Sequence, residues 1–176
     1  MTRVGILSDT HGHLSLTALG CLVECDQIIH AGDIGDPGIL RELEQYAPVT
    51  AVLGNNDYPD YGPKVGRFAC VEVEAVSFLV GHYPRDVRLK TSSGLSGFSA
   101  WAPGDPIPQV CVHGHVHYPV LLAGEEAAPA MLVVCTGSVS YPRMGSAASV
   151  AIVEVEDGII LRAWVQSLSG EVILRA

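Results

Sequence analysis

In the first third of the chain, short unbroken apolar runs alternate with stretches whose apolar residues fall at helical spacing. Val4-Gly5-Ile6-Leu7-Ser8 shows no inward–outward alternation, the pattern of a strand buried on both faces. Leu14, Ala18, Leu19, Leu22 and Val23 follow with the period of a helix and predict one to about Glu24. Residues 27–31 return to strand character. Pro37 then opens a second helix that turns Ile39, Leu40 and Leu43 inward, and Pro48 ends it before a third strand at 49–53. This β-α-β-α-β order predicts a parallel sheet, and such sheets bind ligands beyond the carboxyl ends of their strands.

The pattern changes after Tyr61. Residues 67–74 partly alternate and 75–80 follow after a tight turn, which predicts a hairpin. Residues 83–108 carry Arg85, Arg88, Lys90, a Ser/Gly run and Pro103, Pro106 and Pro108. They read mostly as loop with room for a short helix, and loops of this length are more often functional or mobile than idle. Strands are predicted at 109–112 and 131–135. A hairpin follows over 149–156 and 159–165 around Asp157-Gly158, with a last strand at 171–175. Nothing resembling a linker or a repeat divides the two halves, so the expectation is one domain over residues 1–176.

Each predicted strand that enters from an apolar run ends in a polar cluster. The clusters are Ser8-Asp9-Thr10-His11-Gly12-His13, Gly32-Asp33-Ile34-Gly35-Asp36, Gly54-Asn55-Asn56-Asp57, Gly81-His82 and His113-Gly114-His115-Val116-His117. Their side chains bind hard or borderline metal ions through oxygen and imidazole nitrogen. Asp9 and His11 lie two residues apart just past a strand and can point at one ion. His115 and His117 have the same separation, and Gly114 lets the chain turn tightly before them. Asn55 offers an amide oxygen and His82 a nitrogen. Asp33 has two carboxylate oxygens, enough to bridge ions about 3.5–4 Å apart. A lone Asp-x-His is usually surface chemistry, and Gly-Asn-Asn-Asp alone is usually a turn. Together at successive strand ends they point to a two-metal centre. Two divalent ions held by few carboxylates keep positive charge, which acidifies a shared water and attracts an anionic substrate.

Composition narrows the alternatives. Of 176 residues, 48% are hydrophobic and 16% charged, which excludes a disordered or coiled-coil chain. The net charge of -9 argues against an extended nucleic-acid surface, although carboxylates that hold metal would lower the effective value. Five cysteines form an odd set without a C-x-x-C pair, and Met1-Thr2-Arg3 leads straight into a strand, so a reducing cytoplasm is expected. No apolar run approaches the ~20 residues of a membrane span. The β-rich second half is expected to leave sheet edges on which a homodimer could form.

The series Asp9-x-His11, Gly32-Asp33-x-x-Asp36, Gly54-Asn55-Asn56-Asp57, His82 and Gly114-His115-x-His117 resembles the calcineurin-like metallophosphoesterase superfamily. The resemblance runs from Val4 to about Arg143. With Thr136-Gly137-Ser138 followed by Pro142-Arg143, it is similar to the small bacterial and archaeal phosphodiesterases of that superfamily. The resemblance implies an α/β fold, a four-layer α-β-β-α sandwich of two mixed β-sheets. It implies that Asp9, His11 and His117 hold one divalent metal ion, that Asn55, His82 and His115 hold a second, and that Asp33 bridges them. Asp36 would orient a ligand from behind. Mn is the foremost candidate, and Ni, Fe, Co or Zn also suit mixed oxygen and nitrogen sites.

The implied reaction is hydrolysis of a small-molecule phosphodiester by a metal-bridging hydroxide, with Asp33, Asn55, Asn56 and His82 at the catalytic position. Many larger members carry His where this chain has Asn56, and that His protonates the leaving group. Asn cannot act as an acid at neutral pH, and losing acid catalysis costs roughly 10²–10⁴-fold on a poor leaving group. Diesters with stable leaving groups are therefore the expected substrates. His13 is a candidate substitute acid or a solvated loop residue. Arg85, Arg88 and Arg143 are candidates for phosphate contact, and Tyr83 and Trp101 for a lid, against plain surface or packing roles. His30 and His113 are expected to be structural. His82 is followed by Tyr83-Pro84, as in larger members, where small ones often read His-Gly. A phosphomonoesterase or nucleotide phosphatase and a non-catalytic scaffold remain the alternatives. Retention of all seven candidate ligands favours an enzyme.

Overall fold

The computed structural model describes residues 1–58, 61–91, 94–95 and 100–176, so the expected loop at 83–108 lies partly outside the described residues. The first half is the expected parallel unit. β1 (Thr2–Leu7), β2 (Gln27–His30) and β3 (Val49–Ala51) run in parallel, with Val4 opposite Gln27 and Ile28 opposite Val49. Helix α1 (Leu16–Gly20) is capped by Ser15, whose side chain accepts from the Ala18 amide. It is shorter than its apolar spacing predicts. Gly20 is a poor helix former, and beyond it the chain continues in tight turns such as Leu22 N–H to Leu19 O at 2.8 Å. Helix α2 (Pro37–Leu43) starts on Pro37, with Asp36 as its N-cap.

The second half adds ten strands. β4 (Phe68–Val73) and β5 (Val76–Gly81) form the expected hairpin, and Glu74 and Ala75 turn it at φ 50° and 61°. In the segment read as mostly loop with room for a short helix, a 3₁₀ turn (Pro84–Asp86) takes the place of that helix, and a small ribbon, β6 (Lys90–Thr91) with β7 (Gly94–Leu95), was not foreseen. Then come β8 (Val110–His113), β9 (Pro119–Ala123), β10 (Leu132–Thr136), β11 (Ser149–Glu156), β12 (Ile159–Ser167) and β13 (Val172–Arg175). β9 has no counterpart in the sequence reading. It starts at Pro119, which is tolerated because β9 is an edge strand and Pro119 its first residue.

Two mixed sheets result, in the orders β13-β12-β11-β1-β2-β3 and β4-β5-β8-β10-β9. This is the α/β sandwich the resemblance implied. β11 pairs antiparallel with β1 and so carries the C-terminal hairpin onto the parallel unit. Val4, Ile6 and Ile29 of one sheet meet Val76, Phe78, Val80, Val112 and Val134 of the other in the central core. Their neighbours Leu7 and Ile28 face outward against Leu19, Leu22 and Leu43 of the helical layer. Both faces of β1 and β2 are thus buried, which is why their sequences do not alternate.

The outer layer on the second sheet is thinner. Val87, Leu89 and Trp101 cover Leu79 and Cys111 there, without an α-helix among the described residues. Trp101 is 4% exposed and its indole N–H donates to the carbonyls of Asp105 and Pro106. It is a core residue, not a lid. All five cysteines are free, and burial pushes the thiols of Cys25, Cys111 and Cys135 up to about 12. They act as small hydrophobes. Among the described residues no helix is long and apolar enough to cross a membrane.

Phe78 lies at the centre of the inter-sheet core and is 1% exposed. Phe78→Ala should lower the unfolding free energy in urea by about 3–5 kcal/mol through lost burial and a residual cavity. Ile159→Ala, on the exposed turn of the last hairpin, should change it by less than about 0.5 kcal/mol.

Candidate metal centre

The polar clusters converge at the carboxyl ends of β1, β2, β3, β5 and β8, and they do so through an unusual backbone. Nine non-glycine residues among those described have positive φ, and five of them are candidate ligands: Asp9 (55°), His11 (48°), Asp33 (53°), His115 (71°) and His117 (62°). The left-handed region costs a non-glycine residue about 1–3 kcal/mol when the surroundings must hold it there. Here backbone bonds between neighbouring strand ends do the holding. Asp9 N–H donates to Gly32 O and His11 N–H to Asp33 O, both at 2.9 Å, and Gly12 N–H donates to Ile34 O at 2.8 Å. His115 N–H donates to Asp9 Oδ2 at 3.1 Å.

Asp9, His11, Asp33 and His117 place one ligand atom each within 4.8 Å of one another. His117 Nε2 lies 3.1 Å from Asp9 Oδ1 and 3.3 Å from His11 Nε2, and His11 Nε2 lies 3.7 Å from Asp33 Oδ2. The His117 Nδ1 proton goes to Tyr141 O at 2.7 Å, so the Nε2 lone pair faces the cluster. Asp9 Oδ1 is fully buried and accepts no hydrogen bond among the described residues. Burial pushes the Asp9 carboxyl above its ordinary range. Lone pairs pointing at lone pairs in a buried space are costly unless a cation lies between them. This donor set fits a divalent metal ion.

A second group faces the other oxygen of Asp33. Asn55 Oδ1 lies 2.9 Å from His115 Nδ1 and 3.1 Å from His82 Nε2, which is 3.6 Å from Asp33 Oδ1. His82 Nδ1–H donates to Ala31 O at 2.8 Å, turning its Nε2 lone pair inward. Burial, then the neighbouring His82 imidazole, lowers the His115 pKa, which favours the neutral form that binds metal. Glycine permits the close packing. A Cβ on Gly54 would stand 2.1 Å from Asp33 Oδ1, and one on Gly114 would stand 2.8 Å from Asp9 Oδ2. All seven residues singled out in the sequence are thus brought to one centre, and Asn56 is there too. Its side-chain amide donates to Asp33 Oδ2 at 2.6 Å and its backbone N–H to Asp33 Oδ1 at 2.8 Å.

The residues behind the centre differ in part from expectation. Asp36 accepts from Gly38 N–H at the start of α2 and does not stand behind a ligand. Asp57, the last residue of Gly54-Asn55-Asn56-Asp57, takes that place. It accepts from the backbone N–H groups of Ile34, Gly35 and Gly54 at 3.1, 2.9 and 2.8 Å and from the Tyr61 hydroxyl at 3.0 Å. Ser138 Oγ donates to Asp9 O at 2.7 Å and accepts from Tyr141 N–H at 2.8 Å, joining the 138–146 loop to the centre. The Ser hydroxyl sits in the Thr-Gly-Ser run visible in the sequence, whereas the Tyr141 and Ala31 carbonyls that orient His117 and His82 leave no side-chain signal.

His30 is buried, pushed down to about 4 by burial, and bonded to Thr10 Oγ1 at 2.9 Å. His113 is likewise buried and pushed down to about 4, with Nδ1–H on Gly114 O. Both are structural, as expected. His13 is exposed. Tyr83 packs on His115 with ring centroids 4.5 Å apart, and Arg85 lies 4.5 Å over the Tyr83 ring. Arg143 lines a cleft with His11 and His117, whereas Arg88 lines a different one with His113 and Cys111.

Burial alone would raise the Asp57 carboxyl, but its backbone donors and Tyr61 outweigh that and hold it below the ordinary range. A depressed folded pKa contributes stability that is present above the unfolded value of about 3.9 and lost as pH falls through the folded value. Asp57→Asn should therefore cost about 1–3 kcal/mol at pH 7. In urea unfolding of the metal-free proteins, its difference from the wild type should shrink below about pH 4.

Known proteins resemble this chain in sequence and in fold. A probable metallophosphoesterase of Methanothermobacter thermautotrophicus is 31% identical over 146 residues, covering 80% of this chain and 79% of the relative. A phosphodiesterase of Methanocaldococcus jannaschii is 26% identical over 133 residues, covering 65% of this chain and 73% of the relative. Vacuolar protein sorting 29 of Cryptosporidium parvum superposes with a TM-score of 0.72 over 99% of this chain and 95% of its own, at 14% identity, a likeness of fold alone. The sequence model of the calcineurin-like phosphoesterase superfamily domain matches residues 2–158, and the chain belongs to that superfamily.

Proposed function

We propose that this protein is a phosphodiesterase with two divalent metal ions, Mn foremost, acting on small-molecule diesters. The observation that carries the reading is the placement of Asp33. One of its oxygens faces Asp9, His11 and His117, and the other faces Asn55, His82 and His115. One carboxylate between two ligand groups is what a shared bridge requires. When bound, the metals would supply the positive charge that acidifies a water between them and offsets charge building on the phosphoryl oxygens. The chain's own part is to turn the Nε2 lone pairs of His82 and His117 inward through the carbonyls of Ala31 and Tyr141, and to hold both ligand groups rigidly through Asp57 and Ser138.

Asn56 makes the preference for diesters concrete. Its amide is engaged with Asp33, and an amide has no proton to give a leaving alkoxide at neutral pH. No imidazole takes its place at that position. A diester presents one negative charge rather than two and, with an aryl or otherwise stable leaving group, needs little acid assistance. The superfamily and the phosphodiesterase relative support hydrolysis of a phosphoester. The fold likeness to vacuolar protein sorting 29 leaves a scaffold as the alternative, and the complete ligand set weighs against it.

The test is a paired assay on metal-stripped protein reloaded with Mn or Ni, using bis-(p-nitrophenyl) phosphate and p-nitrophenyl phosphate. Diester turnover should exceed monoester turnover, and Asp33→Asn should abolish both. Asn56→His should raise turnover of an alkyl phosphate monoester, whose leaving group is poor, tenfold or more, within the roughly 10²–10⁴-fold that acid catalysis supplies, and should change p-nitrophenyl phosphate much less. Monoester turnover above diester turnover in the wild type would contradict the reading.

A further inference from the structure

Two clefts open onto the candidate metal centre. One, of about 510 Å³, opens at His11 and His117 and is walled by Tyr141, Pro142 and Arg143. The other, of about 340 Å³, opens at Asn55 and is walled by Asp57, Arg67, Tyr83 and Asp86. Each falls in the size range of small-molecule sites. Each also combines an aromatic ring that abuts a candidate ligand with an arginine at its wall.

On the first side, the Tyr141 ring stands edge-on to His11 with centroids 5.5 Å apart, yet 57% of the residue is exposed. Its backbone is fixed at both ends. Tyr141 N–H is held by Ser138 Oγ, and Tyr141 O accepts the His117 proton. Arg143 N–H donates to His117 O at 2.8 Å, and its guanidinium pairs with no carboxylate among the described residues. On the second side, Tyr83 lies against His115 at 4.5 Å and against His82 at 5.4 Å. The carboxylates here are already engaged. Asp57 accepts four hydrogen bonds, and Asp86 accepts from Tyr83 N–H at 3.2 Å and lies 3.9 Å from Arg85. Repulsion of an anionic substrate on this side is correspondingly reduced, and Arg67 and Arg85 offset it further.

We propose that the two clefts are subsites for the two organic arms of the phosphodiester, each taking a planar aromatic or heteroaromatic group. One arm lies beside Tyr141 and Arg143, the other beside Tyr83 and Arg67. The assignment rests on the phosphodiesterase reading and deepens it. A monoester has one arm and would leave one aromatic wall in water. A diester with two flat arms covers both, and each ring gains stacking on tyrosine and the cationic edge of arginine. Tyr83 and Tyr141 are then the specificity-determining residues.

Phosphinates test this directly, because both of their arms are attached through carbon and cannot be hydrolysed. Binding of dimethylphosphinate, methyl(phenyl)phosphinate and diphenylphosphinate to the Mn-loaded protein would be measured by calorimetry. Affinity should rise with each phenyl ring, by about two- to tenfold for the aromatic contact alone. Tyr141→Ala and Tyr83→Ala should each bring diphenylphosphinate down to the level of the one-ring ligand, whereas Tyr141→Phe, which keeps the ring, should not. Equal affinity for the three ligands, or tyrosine variants that leave diphenylphosphinate unaffected, would overturn the assignment. Turnover of bis-(p-nitrophenyl) phosphate by the same preparation separates the two claims. Turnover without graded affinity removes the subsites and leaves the phosphodiesterase. No turnover of any diester removes both.

Discussion

The left-handed backbone at Asp9, His11, Asp33, His115 and His117 is the constraint on which the rest of the molecule depends. A strand that continued straight would send residues two apart out along the same face, away from the other strand ends. A positive φ at the strand end turns the chain back over the sheet edge instead. It is unfavourable at every one of these positions, so the fold must hold it. Two sheets, packed on a core of Val, Ile and Phe78, bring five strand ends to one edge. There each loop supplies the hydrogen-bond partner that its neighbour lacks.

Those loops are built around acceptors. Two carboxylates, an amide oxygen and four imidazole nitrogens converge, and the protons of His82 and His117 are drawn off by the carbonyls of Ala31 and Tyr141. Such a set is unfavourable without positive charge and strongly favourable with it. The glycines at 54 and 114 let backbone replace side chain where space is shortest. Asp57 and Ser138 join the loops to one another. Electrostatics and packing thus lead to the same arrangement.

Much of this was legible in the chain. Unbroken apolar runs marked β1 and β2, Pro37 and Pro48 bounded the region of α2, and Asp157-Gly158 marked the last hairpin. The seven candidate ligands were visible because each followed a strand and carried ligand chemistry, and the structure brings them together. What stayed hidden has physical reasons. β9 follows the His-x-His turn without a break and begins with a proline. α1 is cut short by Gly20 although its apolar spacing continues. Asp36 and Asp57 both follow glycine-containing turns, and sequence alone does not say which carboxylate turns back to cross-link the loops and which caps a helix. For Trp101 the sequence left a lid and plain packing both open, and packing holds because the outer face of the second sheet has no α-helix among the described residues to cover it.

The central claim is that Asp33 stands between two metal sites in one chain. The most direct measurement is a titration of the metal-stripped protein with Mn, counting bound ions per chain at saturation and recording the electron paramagnetic resonance spectrum. The account predicts two ions per chain with the spin coupling of a closely spaced pair. Saturation at one ion, or two ions without coupling, would contradict it.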